Sequence, residues 1–246
     1  MESKFKLPTE TVELPSKGLL YPEGHALSSG TIEMKYMTAK EEDILTNQNY
    51  IRQGVVIDKL LQSLIVTDVN YDDILVGDKN AIMIAARILS YGKDYEFMMG
   101  NNKQVVDLTT FANKELDESI YRKGHNEFTF TLPSTENVIT FKLLTHGDEK
   151  KIDQEVRGLQ KINKDNITEA TTRLKQILTS INGSVDRNDI REFVDFGLLA
   201  RDARALREEY TRVAPDINLS FEYTDENGVE QEATLPIGVT FFWPEL

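Results

Sequence analysis

The chain contains no cysteine. Disulfides, thiolate metal sites and cysteine nucleophiles are therefore excluded. Histidine is nearly as scarce. His25, His125 and His146 are scattered, and none has a metal-ligand neighbour at i+3 or i+4 of the HExxH kind. Each is expected at the surface or in a loop. No glycine-rich phosphate loop and no GxSxG elbow occurs. Asp195-Phe196-Gly197 spells the magnesium motif of kinases, but the catalytic loop and strand lysine that accompany it are missing. It lies in an amphipathic helical stretch and reads as coincidence. Acid pairs such as Glu41-Glu42 and Asp72-Asp73 are expected among 41 acidic residues, and adjacent positions do not converge on one helix face. No catalytic residue, cofactor site or metal site is expected.

Basic residues are also outnumbered. There are 28 Lys and Arg against 41 Asp and Glu, giving a net charge of −13. That opposes a sequence-independent grip on nucleic acid or an anionic membrane. No aromatic–basic interleaving suggests a platform for single strands. No apolar run approaches the ~20 residues that cross a bilayer, and Met1–Lys6 lacks the apolar segment of a signal peptide. The chain is expected to act in the cytoplasm where it is made. At 246 residues it is long enough for a sizeable core.

The most informative stretch is Glu13-Leu14-Pro15-Ser16-Lys17-Gly18-Leu19-Leu20-Tyr21-Pro22. Pro15 and Pro22 fix φ and bias their predecessors to extended backbone. Gly18 admits φ > 0 where the chain reverses. Val12 and Leu14 alternate with polar residues on one side, as do Ile32, Met34 and Tyr36 on the other, so paired strands flank this loop. A segment so rich in restricted residues loses little entropy on docking. Leu14, Pro15, Ser16, Lys17, Gly18 and Tyr21 are therefore candidate partner-binding residues, the competing reading being that the loop caps the core.

Helices follow. Thr38 and Glu41 have capping-box spacing for a helix from Ala39. Val56, Leu60, Leu61, Leu64 and Ile65 form one helical face. Asp78 is placed as the N-cap of a third helix, with Ala81, Ile82, Ala85, Ile88 and Leu89 buried and Gly92 at its end. Residues 93–145 read as β-rich: a strand over 94–98, a polar stretch over 107–124 with room for a short helix, then a hairpin of Phe128–Leu132 and Val138–Leu144 turning at Pro133–Asn137. A second helical block covers 147–214. Ile152, Val156, Leu159 and Ile162 share a face. Asn166 is placed as a cap, and Ile167, Ala170, Leu174, Ile177 and Ile181 follow a 3-4 pattern. The two form an α-hairpin over 149–182, either standing out from the body or packed on the core. Its narrow stripe, Ile167, Leu174, Ile177 and Ile181, is a candidate seam for a partner. Asp186 or Asn188 opens a further helix, with a bend near Gly197. The tail is a hairpin turning at Asp225–Gly228. It ends in Phe241, Phe242 and Trp243, which either tie the terminus to the core or anchor a partner.

These patterns predict an α+β fold with a helical core, small antiparallel β-hairpin sheets and a helical hairpin. Three segments are expected: an N-terminal α+β domain over 1–146, a helical segment over 147–214, and a C-terminal hairpin with aromatic tail over 215–246.

Three stretches together carry a resemblance: Leu7-Pro8-Thr9 with Val12–Gly18, Tyr36–Leu45 running into the helices through Gly92, and Leu235-Pro236-Ile237 with Phe241–Pro244. In them the chain resembles the baseplate hub assembly proteins of T4-like contractile-tailed bacteriophages, over nearly its full length. The resemblance implies a non-enzymatic assembly factor or minor subunit of the tail baseplate hub. One form is a chaperone for a hub or tape-measure protein. Partners would be other phage tail proteins, with the chain in the host cytoplasm during assembly or in the virion baseplate. Some members carry zinc-knuckle cysteine pairs in two turn regions. The corresponding stretches, 99–102 and 224–228, have no cysteine, so that metal site does not carry over. The competing readings are an infection-stage hydrolase and a host-directed adaptor.

Overall fold

The structure, a computed structural model, describes residues 8–100, 102–162, 168–224 and 228–242. It is α+β, with eight α-helices among the described residues and antiparallel sheets of two or three strands. Strands β1 (Thr9–Glu13) and β2 (Thr31–Lys35) pair from Thr9↔Lys35 to Glu13↔Thr31 and enclose the Pro/Gly loop. Helices α1 (Ala39–Leu45), α2 (Gln48–Gln53) and α3 (Val56–Leu64) come next. The capping box at Thr38 is present, and the Glu41 carboxylate also accepts from Lys35 Nζ at 2.8 Å. Asn47 caps α2 through the N–H groups of Asn49 and Tyr50.

Helix α4 (Val76–Tyr91) is the centre of the molecule: none of its sixteen residues is exposed. A helix covered on every side carries small and apolar residues all round rather than one stripe, and the run Ala81-Ile82-Met83-Ile84-Ala85-Ala86 does so. Its partners come from remote parts of the chain. Val76 N–H donates to Leu144 O at 3.0 Å. Arg87 Nε donates to Phe241 O at 3.0 Å, and its guanidinium stacks over Tyr91 and Tyr95. Burial lowers the Arg87 pKa, and its Nη1 is buried without a hydrogen-bond partner. Gly77 lies against the backbone of Pro215, where a Cβ would come within 1.8 Å of the carbonyl oxygen.

Three further sheets are described. β3 (Asp94–Met99) pairs with β4 (Asn102–Asp107), so the expected strand over 94–98 has a partner that the sequence reading missed. β5 (Phe128–Thr131), β6 (Val138–Phe141) and β7 (Leu178–Ile181) form the three-stranded sheet. β8 (Ser220–Thr224) and β9 (Glu230–Thr234) form the C-terminal hairpin. Helices α5 (His146–Ile162), α6 (Glu169–Ile177), α7 (Arg187–Glu192) and α8 (Ala200–Val213) complete the fold. Two short 3-10 turns, at 108–110 and 118–120, occupy the polar stretch. All three expected segments contribute to one hydrophobic cluster, from Leu14 through Ile152 to Phe242.

Three expectations need correction. Asp78 is not the cap of α4: the helix starts at Val76, and Asp78 lies in its first turn, fully buried. The helix expected through Ile181 stops at Ile177 and continues directly as β7. Leu178-Thr-Ser-Ile offers β-branched and hydroxyl residues that suit a sheet. The sheet takes them, with Thr140 Oγ1 within hydrogen-bond distance of Thr179 and Ser180, while the Arg187 guanidinium takes Lys175 O and Leu178 O. His146 is not a surface histidine: it opens α5 and is buried against α3 and α4. The turn expected at 163–166, with Asn166 and Ile167, lies outside the described residues.

Two buried carboxylates pin the second half of the chain. Asp202 on α8 accepts from the N–H groups of Ser134 and Thr135 and from Thr135 Oγ1, at 2.8, 3.1 and 2.8 Å, fixing the β5–β6 turn. Asp148 on α5 accepts from Lys142, Gln176 and Thr145. Burial pushes both carboxyls up, but these donors outweigh it and hold both below the ordinary value of 3.8. A carboxyl depressed in the folded state stabilises above its unfolded pKa, and that contribution is lost as pH falls through the folded value. Urea denaturation of the protein should therefore show stability declining from pH 5 toward pH 3, and Asp202→Asn should shallow that decline. Gly77→Ala should destabilise the fold by about 3 kcal/mol or more through overpacking, read as a lowered thermal midpoint.

Candidate functional site

The loop between β1 and β2 is built from nested turns. Lys17 N–H donates to Leu14 O, Leu19 N–H to Ser16 O, and Leu14 N–H to Gly30 O. Lys17 and Gly18 follow each other in the left-handed region, with φ of 50° and 75°. Gly18 has to be glycine on two counts, since a Cβ there would also lie 2.5 Å from Ser28 O.

Asp78 holds this loop. Its Oδ1 accepts from Ser16 N–H at 2.8 Å, and its Oδ2 accepts from Ser16 Oγ and Tyr21 OH, both at 2.7 Å. Tyr21 OH in turn accepts from Leu75 N–H at 3.0 Å, at the start of α4. Ser16, Tyr21 and Asp78 are all buried. The carboxylate therefore joins two segments 62 residues apart. Burial raises the Asp78 pKa, and its hydrogen bonds from Ser16 and Tyr21 oppose that rise without cancelling it. Burial likewise raises the Tyr21 phenol, with the Asp78 charge adding to it.

The candidate residues thus separate. Leu14, Pro15, Ser16, Gly18 and Tyr21 face inward and form the seat of the loop. Lys17 alone of the six is exposed, and it reaches Glu118 at 2.6 Å. Pro22, Glu23 and Gly24, further along the loop, are also exposed. In the helical hairpin, Leu174, Ile177 and Ile181 are buried in the core rather than displayed as a seam. Ile152 joins them, and Glu149 meets Arg173 in a two-pronged pair at 2.5 and 2.9 Å. From residue 153 to 162, only Val156 and Leu159 are even half-buried. Phe241 and Phe242 are fully buried beside Arg87 and Tyr95, which decides between core and anchor for these two. Ile167 and Trp243 lie outside the described residues.

A second polar cluster was not foreseen. Asp58 on α3 accepts from Lys79 Nζ at 2.6 Å and from Tyr71 OH at 3.1 Å. Lys79 Nζ lies 3.2 Å from His146 Nδ1, and the imidazole meets the Tyr71 ring edge-on. Burial and the Lys79 charge lower the His146 pKa. The imidazole Nε2 stands 3.8 and 3.9 Å from the carboxylates of Asp58 and Asp72, too far for a hydrogen bond. The cluster ties α3, α4 and α5 together. Among the described residues, no three His, Asp or Glu side chains are grouped to hold a metal ion, and no helix is long and apolar enough to cross a membrane.

Removing the Asp78 carboxylate tests the seat of the loop. Asp78→Ala leaves Ser16 N–H and the two hydroxyls without their acceptor. It should lower stability by about 2–4 kcal/mol, against about 1 for Ser16→Ala, measured by urea denaturation. The pH sign is opposite to that of Asp202. A carboxyl raised in the folded state loses stabilising effect as pH climbs from 3.8 through the raised value. Asp78→Asn should therefore remove that component of the profile.

No curated protein and no solved structure matches the chain. A family model described as T4 bacteriophage base plate protein matches residues 8–243. The match includes the loop, the central helix that holds it and the buried Phe241–Phe242 pair, and the chain belongs to the T4 bacteriophage base plate protein family.

Proposed function

We propose that this phage baseplate protein is a non-catalytic assembly subunit of the baseplate hub, recognised by neighbouring tail proteins through the rim of the β1–β2 loop. The observation that carries the reading is the state of Lys17. It is the one exposed residue of the Leu14–Gly18 run, and it sits at φ 50°. A non-glycine residue in that region stores strain. The buried Ser16–Asp78–Tyr21 bonds hold it there, so the rim docks without further ordering. The acidic balance of the chain and membership in a baseplate family support protein partners over DNA. A chaperone role toward a hub or tape-measure protein is the finer form of the same reading.

Lys17→Gly separates stability from recognition. Relieving the left-handed strain should leave the thermal midpoint unchanged or raised by up to about 1 kcal/mol of stability. The exposed Lys17–Glu118 pair that it removes is worth little. Copurification with hub proteins, and the yield of complete tails from phage carrying the variant, should fall at least tenfold. Normal assembly by a folded Lys17→Gly protein removes the recognition role. Mass spectrometry of purified virions then distinguishes a permanent subunit from a transient factor.

A further inference from the structure

The corner between α7 and α8 displays an aromatic ring. Residues Phe193–Gly197 form a π-helical turn, in which Leu198 N–H donates to Phe193 O at 2.7 Å. Such turns are uncommon and recur at functional positions. Val194 is buried, Asp195 pairs with Lys175 of α6 at 2.7 Å, and Gly197 packs where a Cβ would lie 2.9 Å from the Phe193 ring. The turn is thus fixed to the body. Phe196, at its apex, is 88% exposed, and Leu199 beside it is 52% exposed. Arg191 and Arg201, on either side of the pair in sequence, are exposed and form no ion pair with any described residue. A rigid ring with two free cations, on a chain of net charge −13, is shaped for an apolar groove with an acidic edge.

The chain carries such a groove at the far end of α8. There the 111–115 segment runs alongside 216–218, with Lys114 N–H donating to Asp216 O and Asn218 N–H to Ala112 O. Between them and the end of α8 lies an open cavity of about 610 Å³, in which Phe111, Ala112, Tyr210, Ala214 and Ile217 supply apolar surface among polar lining residues such as Glu115 and Asp216. Lys114 also lines the cavity, and its ammonium is taken up by the carbonyls of Thr211, Arg212 and Ala214. Asp216 is held by Asn80 Nδ2 at 2.9 Å. Glu115 is exposed on the rim and has no ion pair with any described residue. The volume accommodates an aromatic and an aliphatic side chain together.

We infer that the Phe196–Leu199 corner of one copy docks in the 111–217 groove of the next, so that the protein associates with itself head to tail. The occupant is argued from complementarity within this one chain: ring to cavity, and Arg191 and Arg201 to Glu115. Knob and groove sit at opposite ends of a fourteen-residue helix, roughly 20 Å apart at 1.5 Å per residue. The two patches differ, so the contact is heterologous and its repetition gives a ring or an open array rather than a two-fold dimer. This association does not depend on the recognition role of the Lys17 rim.

The test uses two variants of the full chain, each studied by sedimentation velocity from micromolar to about 0.5 mM. Phe196→Ser removes the knob, and Ala112→Arg fills the groove and repels the arginines; both positions are exposed, and circular dichroism checks that each variant folds. Wild type should form oligomers that weaken at least tenfold in affinity at 0.5 M salt. Each variant alone should be monomeric. Mixed one to one, they should form a dimer that grows no further, because the Phe196→Ser groove accepts the Ala112→Arg knob. A monomeric wild type, undiminished association by folded Phe196→Ser, or a mixture that stays monomeric overturns the inference. So does retention of Phe196 by another phage protein with the wild-type chain still monomeric.

Discussion

The fold depends on one buried carboxylate. Asp78 sits in the first turn of the central helix and takes three hydrogen bonds, two from Ser16 and one from Tyr21. An ionised group removed from water is tolerable only when its lone pairs are satisfied, and Ser16 and Tyr21 satisfy them. The consequence runs outward. Tyr21 reaches back to Leu75 N–H at the helix start, and the residue after it, Val76, bonds to Leu144. The loop, the helix and the segment leading into α5 are therefore set by one point of contact. The placement also suits the helix, because an acidic group in the first turn sits at the positive end of the dipole.

The same device recurs. Asp202 holds the β5–β6 turn to α8, and Asp148 ties α5 to the strand and helix beside it. Each joins segments that local propensity would leave independent. A chain without cysteine cannot cross-link its loops covalently, and here buried acids with complete sets of donors do that work. Asp202 and Asp148 have depressed pKa values while that of Asp78 is raised. At Asp78 burial prevails over the donors, with the Asp216 charge adding to it, whereas Asp148 has Lys142 at 2.7 Å and Asp202 is held down by its hydrogen bonds from Ser134 and Thr135 alone.

What was legible in the sequence was whatever its local chemistry decides. The Thr38–Glu41 box, the end of α4 at Gly92, the bend near Gly197 and the alternating hairpins at 128–141 and 220–234 were all visible from spacing and turn residues. What was not legible depends on contacts distant in sequence. Leu178–Ile181 completes a helical 3-4 pattern, and only the presence of β6 beside it makes it a strand. Asp78 looks like a cap until Ser16 and Tyr21 arrive from 62 and 57 positions away. The candidate site divides in the same way. The restricted loop could be found from its Pro and Gly content, but not which of its side chains faces outward. Phe196 was hidden by its setting: in an amphipathic pattern an aromatic residue reads as core, and the π-helical turn that rotates it outward leaves no simple sequence signal.

The bond between Arg87 and Phe241 joins residues 154 positions apart, and this bears on how the protein is made. Synthesis at about 5–20 residues per second separates the two by roughly 8 to 30 s. During that interval the central helix has been made while the Pro215 backbone that covers Gly77 and the Phe241 carbonyl that takes Arg87 have not. Long-range contacts of this kind fold slowly and leave apolar surface open meanwhile. A chain cut short before Pro215 and Phe241 leaves Gly77 and Arg87 of the central helix without the backbone that covers them.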